Sequence, residues 1–192
     1  SDDASNGTRK APARSSGEGE RTGIIQIFAN TLVKLKLKDV TIDQPRAAGT
    51  NARGMAAIDI QGSGDVEITV EGQNTLKGHA NGAGIQKSDD VSTGKLTITA
   101  KDKNQTLNVI ADRYGAAIGG NGWGWNEGSN SQHGTKNIEI NGGTVNTQGR
   151  IGGGWNGGSA ENIVITGNAV VNANGGIGGG NGDGDKKGKT SI

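Results

Sequence analysis

An isoleucine followed by glycines recurs along the chain, and this repeat constrains the fold more than any other feature of the sequence. The motif stands at 116–120, 150–154 and 176–180. Superposing the repeats aligns five isoleucines at intervals of about 30 residues: Ile58, Ile85, Ile118, Ile151 and Ile177. A repeat of this length is typical of a solenoid, in which each unit packs only on its neighbours.

Short runs of alternating apolar residues, bounded by Gly, Asn or Asp, lie between the aligned isoleucines. In the clearest repeat three such segments follow one another, at 118–120, 137–143 and 144–147. Three short strands per repeat predict an all-β fold, a right-handed parallel β-helix whose coils stack about 4.8 Å apart. The composition agrees, because 37 glycines suit the corners of such coils.

Only one folded domain is expected. Residues 1–22 are almost devoid of apolar side chains and predict a polar tail or linker, whereas residues 23–192 carry the β-helix pattern. The last residues, 189–192, align with the strand start at 135–138, so we expect either further coils beyond Ile192 or another chain covering that end. The first residue is not Met, which predicts a processed or excised chain.

Charge and apolar content argue against two classes of partner. With 20 Lys and Arg against 19 Asp and Glu, the chain has no net field to recruit nucleic acid. No apolar run approaches the roughly 18 residues of a membrane span, so no membrane insertion is expected. The absence of cysteine excludes thiolate chemistry and leaves the redox compartment open.

Gly- and Asn-rich loops leave the coils after the isoleucine motif, and they contain all three Trp residues. Because the loops take equivalent places on successive coils, we expect their aromatic and amide groups to form one strip. Sugar rings stack on aromatic planes while amides bond hydroxyls, so the predicted ligand-binding residues are Trp123, Trp125, Asn126, Trp155 and Asn156. The alternative is that the Trp side chains fold over the glycine surface and seal it.

A catalytic alternative rests on charged residues just before two of the isoleucines. Asp112, Arg113, Tyr114 and Arg150 could converge on one face and act as in a polysaccharide lyase or hydrolase. No aligned carboxylate cluster accompanies them, so catalysis is the less favoured interpretation and no catalytic residue is assigned.

Metal sites and cofactors are not predicted. His79 and His133 have no further ligands at suitable spacing, and the acidic loop at 182–185 is followed by two lysines, which makes a poor calcium site.

Two structural features are predicted as well. Lys34, Lys36 and Lys38 should form a basic outward face that protects an edge or contacts an acidic polymer, and Asn146 and Asn172 should form a hydrogen-bonded ladder.

The Ile-Gly-Gly units, with the intervening segment at 137–147, resemble the right-handed β-helix repeats of bacterial cell-surface and secreted proteins, an architecture shared with the pectin-lyase-like superfamily. The resemblance covers roughly residues 56–192. It implies an extracellular bacterial setting, some relatives of that broad class bind carbohydrate, and it identifies no catalytic residues. We therefore expect a secreted or cell-surface, non-catalytic module that binds a polysaccharide or a host glycan, or mediates adhesion. A structural stalk or assembly subunit, with end-to-end contacts between coils or chains, is the other non-catalytic alternative.

Overall fold

The computed structural model describes residues 25–43, 55–79, 81–112, 114–122, 133–155 and 158–180. These residues form a right-handed parallel β-helix of three sheets. The prediction of an all-β solenoid with three short strands per coil is confirmed. The predicted tail at 1–22 lies outside the described residues.

The first sheet contains the isoleucine motif. Its six parallel strands, numbered in chain order through the whole fold, are β1 (Ile25–Phe28), β4 (Ile58–Gln61), β7 (Ile85–Gln86), β10 (Ile118–Gly119), β13 (Ile151–Gly152) and β16 (Ile177–Gly178). The five aligned isoleucines are direct register partners, as predicted, and Ile25 extends the column by one coil.

The other two sheets have five strands each. The second contains β2 (Val33–Lys38), β5 (Val66–Glu71), β8 (Leu96–Ala100), β11 (Thr135–Ile140) and β14 (Ala160–Ile165). The third contains β3 (Thr41–Asp43), β6 (Gln73–Lys77), β9 (Thr106–Ile110), β12 (Thr144–Gln148) and β15 (Val170–Ala173). A coil therefore takes one strand from each sheet in turn.

Inward side chains from all three sheets fuse into one apolar interior. Ile58, Ile85, Ile118 and Ile151 of the first sheet are fully buried, as are Ile98 of the second and Leu107 of the third. No coil could bury these residues alone, so stacking supplies both the core and the backbone hydrogen bonds.

The corners between strands need backbone conformations with positive φ, and breaks in the apolar alternation and glycines indicate where they occur. The apolar alternation of β2 breaks between Leu37 and Val40, and there Asp39 has a φ of 51°. The chain thus bends between the two short strands β2 and β3. At the first sheet, Gly119, Gly152 and Gly178 have φ values of 135°, 145° and 141°, a region that favours glycine.

The last complete coil described, β13 to β15, is more open than the coil before it. Ile140 on β11 is fully buried, yet its register partner Ile165 on β14 is 39% exposed. Val164 and Val170 of the same coil are also exposed, at outward positions that Glu139 and Thr144 take one coil earlier. Within the described part of the chain, no helix is long and apolar enough to cross a membrane.

Candidate functional site

An aromatic pair lies at the loop edge of the first sheet. Trp155 follows β13 and Tyr114 precedes β10, and their ring centroids are 5.0 Å apart with planes inclined by 49°. The backbone N–H of Trp155 also donates to the carbonyl of Tyr114 at 3.1 Å. Both residues are partly exposed, so the pair is packed on one side and open on another.

Glycine positions allow the chain to pass close beside this pair. The N–H of Gly122 donates to the carbonyl of Asn81 at 3.0 Å. A Cβ on Gly122 would lie 2.7 Å from the carbonyl carbon of Tyr114, closer than real Cβ contacts allow. Only glycine therefore fits between these residues, and the segment after β10 is pressed against the backbone of Tyr114.

Two polar residues share the corner with the aromatic pair. The N–H of Asn81 donates to Oδ2 of Asp112 at 3.3 Å, and Asn81 adopts a φ of 68°. Asp112 is bound in turn through its own N–H to the carbonyl of Gly82 at 3.2 Å. Asn81 and Asp112 are both partly exposed. The corner thus combines two aromatic rings with an amide and a carboxylate. We call Asn81, Asp112, Tyr114 and Trp155 the loop-edge cluster.

Only one of the five predicted ligand-binding residues can be placed. Trp155 belongs to the loop-edge cluster, whereas Trp123, Trp125, Asn126 and Asn156 lie outside the described residues. Both stems of the 123–132 loop are described, and they meet at this edge: Gly122 bonds to Asn81, and the carbonyl of His133 accepts from the N–H of Gly154 at 2.8 Å. The predicted common strip stays a prediction.

Sequence reasoning did not assign Asn81 to a site, and it placed Tyr114 only in the catalytic alternative. The signal was present in the repeat. Asn81-Gly82-Ala83 stands four residues before Ile85, and Tyr114-Gly115-Ala116 stands four residues before Ile118. Since Ile85 and Ile118 are register partners, the two side chains occupy the same corner on adjacent coils.

Backbone contacts hold the described members of the catalytic alternative. Arg150 donates from Nη1 to the carbonyl of Gly179, and burial lowers the pKa of its guanidinium. Asp112 accepts from the backbone of Asn81. Arg113 lies outside the described residues. These bonds give both side chains a role in joining neighbouring coils.

The two histidines each lie near a carboxylate. Nε2 of His79 is 2.9 Å from Oδ1 of Asp43, which also lies 3.3 Å from Nζ of Lys77. Burial opposes ionisation of Asp43, but the hydrogen bonds from His79 and Lys77 outweigh it and keep the pKa of that carboxyl below its usual value. Nδ1 of His133 is 3.9 Å from Oδ2 of Asp90. Among the described residues, no group of three or more His, Asp or Glu side chains could hold a metal ion.

The outward lysines of β2 face the acidic residues of β5. Lys34 lies 3.8 Å from Glu67, while Lys36 and Lys38 lie 2.6 Å and 2.9 Å from Glu71. The predicted basic face is therefore largely neutralised by the next coil. Such exposed pairs contribute little to stability, and they leave this face a weak attractor for an acidic polymer.

A buried lysine was not anticipated. Lys87 stands two residues after Ile85, in the inward position that Ile60 takes one coil earlier, and it is 1% exposed. Its Nζ donates to the carbonyl of Lys136 at 2.8 Å and to that of Ser92 at 3.4 Å. Burial lowers the pKa of Lys87 to about 8. Counting two residues on from each aligned isoleucine would have found it.

Comparison of the chain with protein-family models, curated proteins and solved structures found no match. Function must therefore be argued from the site, because a solenoid fold alone carries no activity.

Proposed function

We propose that the protein is a non-catalytic extracellular module that binds carbohydrate through the loop edge of the β-helix. The loop-edge cluster is the observation that carries this proposal: a partly exposed indole and phenol lie beside a carboxylate and an amide. An aromatic plane suits the apolar face of a sugar ring, and polar groups beside it suit hydroxyls.

Three further points support the proposal. Loops on a rigid scaffold are where binding residues concentrate, and here the stems of the Trp-rich loop are anchored on stacked coils. The repeats resemble those of bacterial cell-surface β-helix proteins, which favours a secreted or surface location. The described charged residues of the catalytic alternative are held by the main chain, which favours binding over chemistry.

The test is glycan binding by Trp155→Ala against a matched aromatic variant. Phe28 is 64% exposed on β1, four strands away from Trp155 along the first sheet, so Phe28→Ala removes an exposed ring of similar size without touching the loop edge. On an array of plant, bacterial and host glycans we expect Trp155→Ala to weaken binding about tenfold or more, and Phe28→Ala to leave it unchanged. Circular dichroism melting verifies that both variants fold.

Two results would contradict the proposal. Equal glycan binding by wild type and Trp155→Ala would remove the loop-edge cluster as the site, and the same comparison with Trp123→Ala tests a second residue of the predicted strip. Depolymerisation of a polysaccharide by the wild type, lost in Arg150→Ala, would replace the binding module with an enzyme.

A structural or assembly role is the second candidate, and one specific observation favours it. Ile165 is 39% exposed although its register partner Ile140 is fully buried, and within the described residues β14 and β15 each pair on one side only, an arrangement that suits further coils or another chain. Sedimentation velocity over a range of concentrations distinguishes this role, since an assembly subunit would form linear oligomers and a binding module would stay monomeric.

A further inference from the structure

The buried lysine belongs to a short segment that touches both stems of the Trp-rich loop. A buried polar side chain destabilises a core unless its hydrogen bonds are made, and Lys87 makes two to carbonyls, one of them on β11. An isoleucine fills the same inward position one coil earlier, so packing alone does not require a lysine here.

Further hydrogen bonds tie residues 87–89 to the next coil. The hydroxyl of Thr135 donates to the carbonyl of Lys87 at 2.6 Å, and the N–H of Asp89 donates to the carbonyl of Gly134 at 3.0 Å. The N–H of Asn121 donates to Oγ of Ser88 at 3.2 Å. Asn121 lies on the outgoing stem, whereas Gly134 and Thr135 lie on the returning stem. One segment therefore clamps both stems.

The clamped stems support the loop-edge cluster directly. The outgoing stem continues to Gly122, which packs against the backbone of Tyr114. The returning stem contains His133, whose carbonyl accepts from the N–H of Gly154, the residue before Trp155. A shift of either stem would consequently displace one member of the aromatic pair.

We infer that Lys87 is a positioning residue for the proposed carbohydrate site, fixing both loop stems and through them the Tyr114–Trp155 pair. The inference rests on the proposed function for its ligand, while the clamp itself can be tested without one. Lys87 does not reach the ligand: it acts through the main chain of the stems.

The first experiment uses amide hydrogen exchange, which needs no ligand. Lys87→Met keeps the length and the apolar stem of the side chain but removes its donors. We expect the N–H groups of Gly122 and Gly154 to exchange about tenfold faster or more in this variant, because each is bonded through a clamped stem. The core amides of β12 should exchange as in the wild type.

The second experiment supplies a conservative pair within the same clamp. Thr135→Val removes the hydroxyl that donates to Lys87, and Thr135→Ser retains it. Native affinity electrophoresis in soluble xylan, mannan, glucan and polygalacturonate measures binding without a prior choice of sugar. We expect Lys87→Met and Thr135→Val to weaken retention in the polysaccharide gel about fivefold or more. Thr135→Ser, which keeps the hydroxyl, should be retained as strongly as the wild type. If Lys87→Met fails to fold, the Thr135 pair still tests the clamp.

The outcomes separate the two proposals. Unchanged exchange at Gly122 and Gly154 in Lys87→Met would overturn the positioning role, whether or not a glycan binds. Faster exchange with no retention of the wild type in any polysaccharide would support the clamp and contradict the carbohydrate function. Equal retention of Thr135→Val and Thr135→Ser would overturn a role for the clamp in binding.

Discussion

The side-chain amide of Asn172 donates to Oδ1 of Asn146 at 2.8 Å, and Asn146 donates in the same way to Asn108 at 2.9 Å. The three residues are register partners on β15, β12 and β9. The amide of Asn146 both donates and accepts, so the ladder joins three coils along the axis of the solenoid, as stacked amides do in cross-β assemblies. The predicted contact between Asn146 and Asn172 is confirmed and extends to Asn108.

Removing the middle amide should loosen three coils at once. Asn146→Ala deletes one bond to each neighbour, and we expect the free energy of unfolding to fall by about 1 to 2 kcal/mol. Urea denaturation followed by circular dichroism measures it. Gln148→Ala is the matched control, because Gln148 is an exposed outward residue on the same strand whose side chain makes no hydrogen bond within the described structure. Equal losses in the two variants would show that the ladder does not stabilise the stack.

Glycine in the first sheet is required by the neighbouring coil as well as by its φ. A Cβ on Gly152 would overlap the carbonyl oxygen of Gly178, and the residue has a φ of 145°. The clash is with backbone atoms, which cannot rotate out of the way as a side chain can. We expect Gly152→Ala to destabilise the protein by about 3 kcal/mol or more, seen as a large drop in the melting temperature.

Gly176 separates the steric effect from the conformational one. It has a φ of 78°, but among the described residues no atom outside its two chain neighbours lies within 4 Å of a Cβ added there. Gly176→Ala should therefore incur only the left-handed strain, about 1 to 2 kcal/mol. Equal destabilisation by the two substitutions would mean that the contact with Gly178 contributes nothing.

Most of the fold could be predicted from the repeat. The isoleucine column, the strand segments around it and the bend at Asp39 all follow from apolar periodicity, because a stacked coil repeats its inward positions faithfully. The Asn ladder followed from the same frame. Superposing the copies of a repeat reveals the features that all of its coils share.

Departures from the repeat were harder to predict. Lys87 takes a position that is isoleucine in the two earlier coils and glycine in the later ones, and its hydrogen-bond partner on β11 is 49 residues away in sequence. The approach of Trp155 to Tyr114 likewise depends on where a loop folds after it leaves the coil. Periodicity describes the average coil, so contacts made by one loop or one substituted position need the three-dimensional structure.

Lys87 should give the protein an unusual dependence on alkaline pH. Burial lowers the pKa of Lys87 from 10.5 to about 8, so between these values the unfolded chain binds more protons than the folded one. The contribution of Lys87 to stability is therefore expected to rise as the pH rises through this window, by about 3 kcal/mol at most. Urea denaturation at several pH values between about 7.5 and 10 measures it. Lys87→Met should lack the rise, whereas Lys101→Met, at an exposed turn position, should keep it.

Glu71 should contribute a dependence of the same sign at acid pH, where stability again rises as the pH rises. Hydrogen bonds from Lys36 and Lys38, together with their charges, lower its pKa from 4.5 to about 2. A carboxylate whose pKa is depressed by folding stabilises the protein above its unfolded pKa, and that contribution disappears as the pH falls through the folded value. We therefore expect the wild type to have a higher melting temperature than Glu71→Gln at neutral pH. The gap between the two melting temperatures should close as the pH falls from about 4.5 to about 2.

Salt and a second glutamate make this last comparison specific. The pairs are exposed, so added sodium chloride should narrow the same gap at neutral pH by screening. Glu67 faces the single lysine Lys34 at the longer distance of 3.8 Å, so Glu67→Gln should lower the melting temperature less than Glu71→Gln. A gap between wild type and Glu71→Gln that stays constant from neutral pH to pH 2 would assign the effect of the substitution to lost packing, because packing does not titrate.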